Sequence, residues 1–477
     1  MKKQFYSIDF SVVSGKAPSK EYATVSFVEA LVDEVHVKED GSKTLLLAMG
    51  PSPLTRRSRI SLIRRIVTFA KSHRIGKIAL ELEGLLGVKH SDEILLSELA
   101  EQVATNMEMA NFEFNDLKTP PKHGWSRVEE VVLFVPKKDL AEIKKACERG
   151  VLIGREVNEC RRLANTPGSD MTPSILVDRA TEILKGTKVA IKALVEKEME
   201  KLGMGGVLGV GQGSDEKPRF VIMEYFAGPK GDKPLVLVGK GVTFDTGGLN
   251  LKPSDGIYEM HMDMSGGAAV ISAIAAAAKL GLKKNVVGLI PAVENMPSGS
   301  SYRPGDVLRT MNGKTIEVLN TDAEGRIILA DALEYAKKYT PRLVVDVATL
   351  TGAAMVALGN RASAIFTKDI ELEKLFRDLG EESGDYVWPL PLWSEFEREV
   401  KGTFGDYANL GKSGRAGGAI TGATFLYQFV KNEDGAAAYP WVHIDMAPRM
   451  TSAEGDHLAK GAAGEPVRLL IKLIEQF

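Results

Sequence analysis

Apolar residues recur along this 477-residue chain in two alternating rhythms. In its first third, short apolar runs at 44–47, 77–80 and 131–134 read as strands. The longer stretches 54–73 and 91–109 carry apolar positions at helical spacing. The segment 116–124, with two adjacent prolines and a closing glycine, is expected to be an exposed loop. Positions 139–163 return to a helical period and stop at Asn165-Thr166-Pro167, as a linker helix with a proline stop would. Beyond it, apolar runs at 220–223, 235–238, 286–290, 343–345 and 441–444 alternate with helical patterns. Strands that are apolar throughout must be covered on both faces, which predicts a largely parallel sheet between layers of helices.

The expected architecture is therefore α/β with two domains. A smaller N-terminal α/β domain spans 1–137, a linker helix 138–166, and a larger catalytic domain 167–477 holds a mostly parallel central sheet covered by helices. A chain of this length exceeds what one core usually serves. The longest apolar helix, 266–278, ends at Lys279 and is too short to cross a bilayer, so no membrane partner is expected.

Charge and cysteine content narrow the function. With 61 basic and 63 acidic residues, the net charge of -2 leaves no electrostatic footprint for nucleic acid. Two cysteines cannot build a disulfide framework, and Asp9 interrupts any signal-like apolar core after the basic start, so a cytoplasmic location is expected. Arg56, Arg57, Arg59, Arg64 and Arg65 cluster in one helix; a solvated face or a basic stripe for nucleic acid would each explain them.

The candidate chemistry lies at two seams. Asn320-Thr321-Asp322-Ala323-Glu324-Gly325-Arg326 joins an apolar strand-like stretch to a helix, where open α/β sheets place their sites. Alone, Asp322 suits a helix cap and Glu324 a first-turn partner of the helix dipole equally well. About 80 residues upstream, Lys240 and Asp245 follow another strand, Lys252 the same loop, and Asp263 the start of the next helix. Four clustered carboxylates would repel and stay partly protonated unless divalent cations held them ionised. Oxygen-rich ligand sets suit magnesium, manganese or zinc. No His-Glu-x-x-His motif, nucleophile elbow, Walker loop or second Asp-Thr-Gly occurs, and Cys147 and Cys160 read as packing or surface residues. Lone histidines such as His261 and His443 are more often structural than catalytic.

Three segments carry a resemblance: Lys240-Gly241-Val242-Thr243-Phe244-Asp245-Thr246-Gly247-Gly248, Met262-Asp263-Met264-Ser265-Gly266-Gly267, and the 320–326 motif. With Glu294-Asn295-Met296-Pro297, Thr349-Leu350-Thr351-Gly352 and Gly464-Glu465-Pro466-Val467-Arg468 they are similar to the leucyl aminopeptidases, two-metal cytosolic exopeptidases, over roughly 150–477. The resemblance implies one metal on Lys240, Asp245, Asp263 and Glu324, and a second on Asp245, Asp322 and Glu324, with the carbonyl of Asp322 also reaching it. It implies that Lys252 and Arg326 are the catalytic side chains, with bicarbonate at Arg326. The metals would be manganese or zinc, with magnesium or cobalt as substitutes. Such pairs, aminopeptidases among them, clamp an attacking oxygen and a polarised carbonyl, so hydrolysis would proceed through a metal-bridged hydroxide. Lys252 would stabilise the oxyanion, and Lys240 binds metal only once its proton is displaced.

The implied activity is removal of leucine and other apolar residues from peptides with a free N-terminus, by a homohexamer. Met260, Thr349, Leu350 and Gly352 are the candidate pocket walls, although they equally suit a plain core. The family usually has Ile-Ala-Gly soon after the late aspartate, whereas Asp445 is followed here by Met446-Ala447-Pro448, which puts side-chain preference in doubt. The glycine-rich stretch 411–422 fits either a subunit interface or a mobile loop. Two other readings are carried forward: a two-metal phosphoesterase, and nucleic-acid binding as a second role.

Overall fold

The computed structural model describes residues 7–15, 19–49, 53–86, 88 and 92–477; the basic start at 1–5 and position 91 of one expected helix lie outside this set. The chain divides into two compact units, one of residues 1–158 with 452–461, the other of 159–451 with 462–477.

In the first unit a six-stranded sheet runs in the order Asp9–Val13, Glu130–Phe134, Lys77–Glu81, Ala23–Val28, Lys43–Ala48, Glu34–Val37. All neighbours are parallel except the last pair. Leu45, Leu47, Ile78, Leu80, Val131 and Leu133 meet Ile63, Ile66 and Val67 of the helix Arg56–Ser72 and Leu99, Val103 and Met107 of Leu96–Asn111. Each such fully buried aliphatic side chain contributes about 1.5–3 kcal/mol. The helix Arg56–Ser72 starts where Thr55 accepts the amide of Ser58 at 3.2 Å, a side-chain cap of an otherwise unpaired donor. The 116–124 segment contains no helix or strand and is largely exposed, as expected. Three strands were not anticipated: Asp9–Val13, Ala23–Val28 and Glu34–Val37. Their serines, threonines and glutamates dilute the apolar signal, and most of their residues are only partly covered.

Four of the five clustered arginines have acidic or amide partners within this unit, and Arg57 lies exposed. Arg59 is fully buried, 2.9 Å from Asp92 and 3.1 Å from Gln102. Arg64 is buried against Asn106 at 2.9 Å, Arg65 pairs with Asp33 at 3.1 Å, and Arg56 with Asp92 at 3.3 Å. These cations hold the unit together from within.

The second unit is built on a nine-stranded mixed sheet. Its order is Val387–Pro389, Ser363–Phe366, Trp441–Asp445, Leu343–Ala348, Leu235–Gly239, Asn285–Asn295, Arg219–Phe226, Ala190–Leu194, and Gly241–Asp245 pairs with the far end of Asn285–Asn295. The central strands are parallel, and antiparallel pairs occur toward both edges. The expected mostly parallel sheet is present, and helices such as Ser265–Lys279 and Glu324–Ala336 pack on it. Ser265–Lys279 is buried along nearly its whole length, and a Cβ at Gly266 would lie 2.1 Å from Val347 O, so the glycine permits this close approach. The stretch 411–422 is a loop only to Gly417, because Gly418–Val430 is a helix whose first turns take up the rest. Among the described residues, no helix is long and apolar enough to cross a membrane.

Because Arg59 is an internal partner, Arg59→Ala should lower unfolding stability on the order of 3 kcal/mol, by stranding part of the Asp92 charge and removing packing. A urea midpoint within error of the parent would contradict this assignment.

Candidate metal centre

The carboxyl ends of the central strands supply the site. Lys240 lies in a break between Leu235–Gly239 and Gly241–Asp245. Its amide still donates to Val347 O at 3.0 Å, and its carbonyl accepts Gly267 N at 2.8 Å. The chain then pairs with the end of Asn285–Asn295, which brings Asp245 to the strand terminus. Asp263 caps the 3-10 turn Met260–Met262 just before helix Ser265–Lys279, and Glu324 is the first residue of Glu324–Ala336. Asp322 lies in the preceding loop.

These elements converge. Lys240 Nζ lies 2.7 Å from Asp263 Oδ2 and 2.8 Å from Glu324 Oε1, and donates to Thr349 O at 3.0 Å. Lys252 Nζ lies 2.7 Å from Asp245 Oδ2 and 2.5 Å from Asp322 Oδ1. Carboxylate oxygens of Asp245, Asp322 and Glu324 all fall within 4.8 Å of one another, and no histidine joins them. Each lysine thus bridges two carboxylates, and the seam residues that a helix-capping role would also explain form one cluster with the upstream set. Glu324 begins its helix while Ala323 takes the cap position, so Asp322 is not the cap.

Charge in this dry site is finely poised. Burial and the Glu324 charge push Asp245 upward, and burial does the same to Asp263 against the pull of Lys240. Burial also opposes ionisation of Glu324, but Lys240 and Lys252 outweigh it and hold Glu324 low. The same burial disfavours the Lys240 ammonium, yet Asp263, Glu324 and Asp245 together keep it protonated. Four acids against two lysines leave an acidic surplus, and Glu324 Oε2 is buried without a hydrogen-bond partner. A cluster of oxygen donors with an unspent buried carboxylate oxygen fits divalent cations, which would compete with the proton on Lys240.

Arg326 is buried 6% exposed, and its Nη1 donates to Asn409 O at 2.9 Å while Nε has no hydrogen-bond partner. Burial lowers its pKa to about 10. A Cβ on Gly325 would lie 2.5 Å from Lys240 Cε and 2.7 Å from Nζ, so only glycine lets the helix start pass over that lysine.

Of the candidate pocket residues, Thr349 is joined to the cluster: its hydroxyl donates to Asp263 Oδ1 at 2.6 Å. Leu350 donates its amide to Asp445 Oδ1 at 3.1 Å. Met260 opens the turn that ends at Asp263, and Gly352 lies exposed at the start of Gly352–Leu358. Several supporting residues escaped the sequence reading. Asn295 donates to Asp245 Oδ1 at 2.8 Å and to Thr321 O at 3.0 Å, tying the two seams together. Asp445 accepts the Thr351 hydroxyl at 2.6 Å, and Asn409 binds the 319–323 loop. Asn295 had a signal, in the Glu294-Asn295-Met296-Pro297 segment, and Asp445 had one as the late aspartate; Asn409 had none that a sequence displays. His443 is fully buried, with Nδ1 2.5 Å from Asp346 Oδ1 and its ring stacked beside Trp441 and Phe366, so it is structural. Cys147 and Cys160 are buried, and burial raises the Cys147 thiol to about 12 and Cys160 further, so neither is a ready nucleophile.

A buried acid and lysine cluster at the carboxyl edge of an α/β sheet has the chemistry of a metal-dependent hydrolase. Residues 158–471 match the model of the cytosol aminopeptidase family, catalytic domain. A probable cytosol aminopeptidase of Saccharophagus degradans is 39% identical over 440 residues, covering 91% of this chain and 85% of the relative. Another, of Chlorobaculum tepidum, is 46% identical over 349 residues, covering 73% and 68%. Among solved structures, the bottromycin maturation enzyme BotP aligns with a TM-score of 0.83 at 31% identity over 95% of this chain and 99% of that one, and BotP has also been solved in complex with Mn. The chain belongs to the cytosol aminopeptidase family and is a metallo-exopeptidase. The phosphoesterase reading is not favoured.

Gly325→Ala should displace Lys240 from Asp263 and Glu324 and cut hydrolysis of an amino-acyl anilide on the order of 10²-fold, the usual cost of misplacing reacting groups by about 1 Å. Circular dichroism should match the parent; undiminished activity would show that Lys240 need not stay where it lies.

Proposed function

We propose that this enzyme removes unblocked N-terminal residues, leucine and other apolar ones, from short peptides, with two divalent metals held by the buried cluster. The observation that carries this reading is the convergence of Asp245, Asp322 and Glu324, whose Oε2 has no hydrogen-bond partner, with Lys240 between Glu324 and Asp263. One ion would be held by Lys240, Asp245, Asp263 and Glu324, the other by Asp245, Asp322 and Glu324, with the Asp322 carbonyl assisting. When bound, the metals supply Lewis acidity for the scissile carbonyl and lower the pKa of water toward neutrality.

The chain's own groups do the rest. Lys252, already held between Asp245 and Asp322, is charged and partly exposed, so it can meet the oxyanion as it develops. Arg326 is a buried cation with a spare donor, a suitable seat for bicarbonate; it orients a proton carrier and stays protonated itself. A free α-amine is recognised beside Asp263. Met260, Leu350 and Gly352 are the proposed pocket walls, with Thr349 oriented by its bond to Asp263. Manganese or zinc is the proposed metal, magnesium and cobalt the substitutes; the Mn complex of BotP supports manganese. Family membership supports a cytoplasmic homohexamer as the working form.

Metal-stripped protein titrated with manganese, zinc, cobalt and magnesium should regain hydrolysis of a leucyl anilide and show none on a phosphate ester; metal-independent hydrolysis would overturn the reading. Glu324→Ala should lose both activity and metal content, since Glu324 would serve both ions, and an unchanged metal stoichiometry would remove that role. Lys252→Ala should keep the metals and lose kcat on the order of 10²–10³-fold, as for one oxyanion donor.

N-acetylated peptides should be neither cleaved nor bound well, because acetylation removes the lone pair that the metal would take. Efficient turnover of a blocked peptide would point to an endopeptidase instead.

A further inference from the structure

We propose that Asn409 is a positioning residue that sets the Asp322 loop and the Arg326 guanidinium in one shared frame. This rests on the metal reading above and adds a residue to it. Asn409 is fully buried, and every hydrogen-bonding group it carries is used. Its Oδ1 accepts the amides of Leu319 at 2.8 Å and Asn320 at 3.3 Å, and its Nδ2 donates to Asn320 O at 2.6 Å and Ala323 O at 3.4 Å. The side chain therefore replaces a missing strand partner for the stretch that delivers Asp322 and turns into the Glu324 helix. Its backbone faces both ways as well. Asn409 N donates to Glu317 O at 3.0 Å, and Asn409 O accepts Arg326 Nη1 at 2.9 Å.

The consequence is a coupling between two groups with different tasks. A shift of Asn409 would move the loop bearing Asp322 and the guanidinium together, so the metal side and the anion side of the site keep a fixed separation. Buried amide networks of this kind fail as a unit, because each lost partner strands another polar group in a dry environment. Groups that orient metal ligands from behind commonly change metal affinity about 10–100-fold when altered.

A plain structural role is the competing explanation, and Asp406 provides its control. Asp406, three residues before Asn409, ties the same segment to the strand Thr315–Glu317 by accepting Thr315 N at 2.8 Å and Thr315 Oγ1 at 2.9 Å, and its side chain makes no hydrogen bond to the 319–323 loop or to Arg326. Asn409→Asp keeps the shape and the acceptor toward Leu319 and Asn320, and puts an oxygen where Nδ2 faces the carbonyls of Asn320 and Ala323. Asn409→Ser, which also keeps an acceptor, serves should the first variant not fold.

The full-length, metal-stripped proteins would be titrated with Mn²⁺ by calorimetry, then assayed on a leucyl anilide and melted. For Asn409→Asp, or the serine variant, the weaker Mn²⁺ affinity should fall about 10-fold or more. kcat should fall about 10–100-fold with KM changed less than about threefold, the signature of a lost transition-state geometry. Asp406→Ala, which removes that acceptor, should lower the melting temperature while leaving Mn²⁺ affinity and kcat near those of the parent. Parent-like Mn²⁺ affinity and kcat in the Asn409 variants would overturn the assignment alone, as would equal metal loss in Asp406→Ala. Absence of Mn²⁺ binding by the parent protein would instead remove the metal reading, and this assignment with it.

Discussion

Everything at the carboxyl edge of the large sheet depends on a charge problem, namely the burial of four carboxylates next to two lysines. Removing ions from water costs several kcal/mol each, and only close, well-oriented partners offset it. Lys240 sits between Asp263 and Glu324, and Lys252 between Asp245 and Asp322, so each cation answers two acids. Burial, with the charge of Glu324 added, pushes Asp245 and Asp263 upward. A protein would not keep such a surplus of acid for stability, because apolar residues of similar volume would serve better there. Such a surplus fits the proposed role of receiving divalent cations.

Hydrogen bonds from surrounding groups hold that charge arrangement in place. Asn295 ties Asp245 to the backbone of Thr321, Thr349 fastens Asp263, and Asp445 in turn holds the amides and hydroxyl of the 350–351 loop. These bonds cross 26 to 95 positions of sequence. The sheet makes them possible, since Gly241–Asp245 and Leu343–Ala348 both end at the same edge as Asn285–Asn295 and Trp441–Asp445. Close packing extends the same constraint to residues without polar atoms. Gly266 lets a helix lie against Val347, and Gly325 leaves the room that Lys240 fills. Small residues in these motifs thus serve the charges as directly as the acids do.

The first unit shows the same physics in its internal packing. Its arginines lie in a helix that could have faced solvent, yet Arg59 and Arg64 are buried against Asp92, Gln102 and Asn106. A run of like charges in sequence therefore said nothing about a surface potential. What counted was whether acidic and amide partners arrived from elsewhere in the chain.

By itself the sequence determined the α/β character, the buried strands of the large sheet and the acids and lysines that the fold brings together. It could do so because each rests on local information. Apolar runs such as 235–238 and 343–345 declare burial on both faces, and the motifs at 240–248, 262–267 and 320–326 are contiguous. Half-covered strands such as Ala23–Val28 stayed hidden, because a strand with one wet face mixes its apolar signal with polar residues. Only the tertiary structure decided that Asp322 is not a helix cap, that Lys240 and Lys252 divide the four acids between them, and that Arg59 and Arg64 face inward. It alone brought Asn409 and Asp445 to the site, from about 90 positions away in the chain. The reason is physical: a side chain's neighbours across a sheet edge are set by strand order, which depends on contacts between segments far apart in the chain and not on the residues on either side of it.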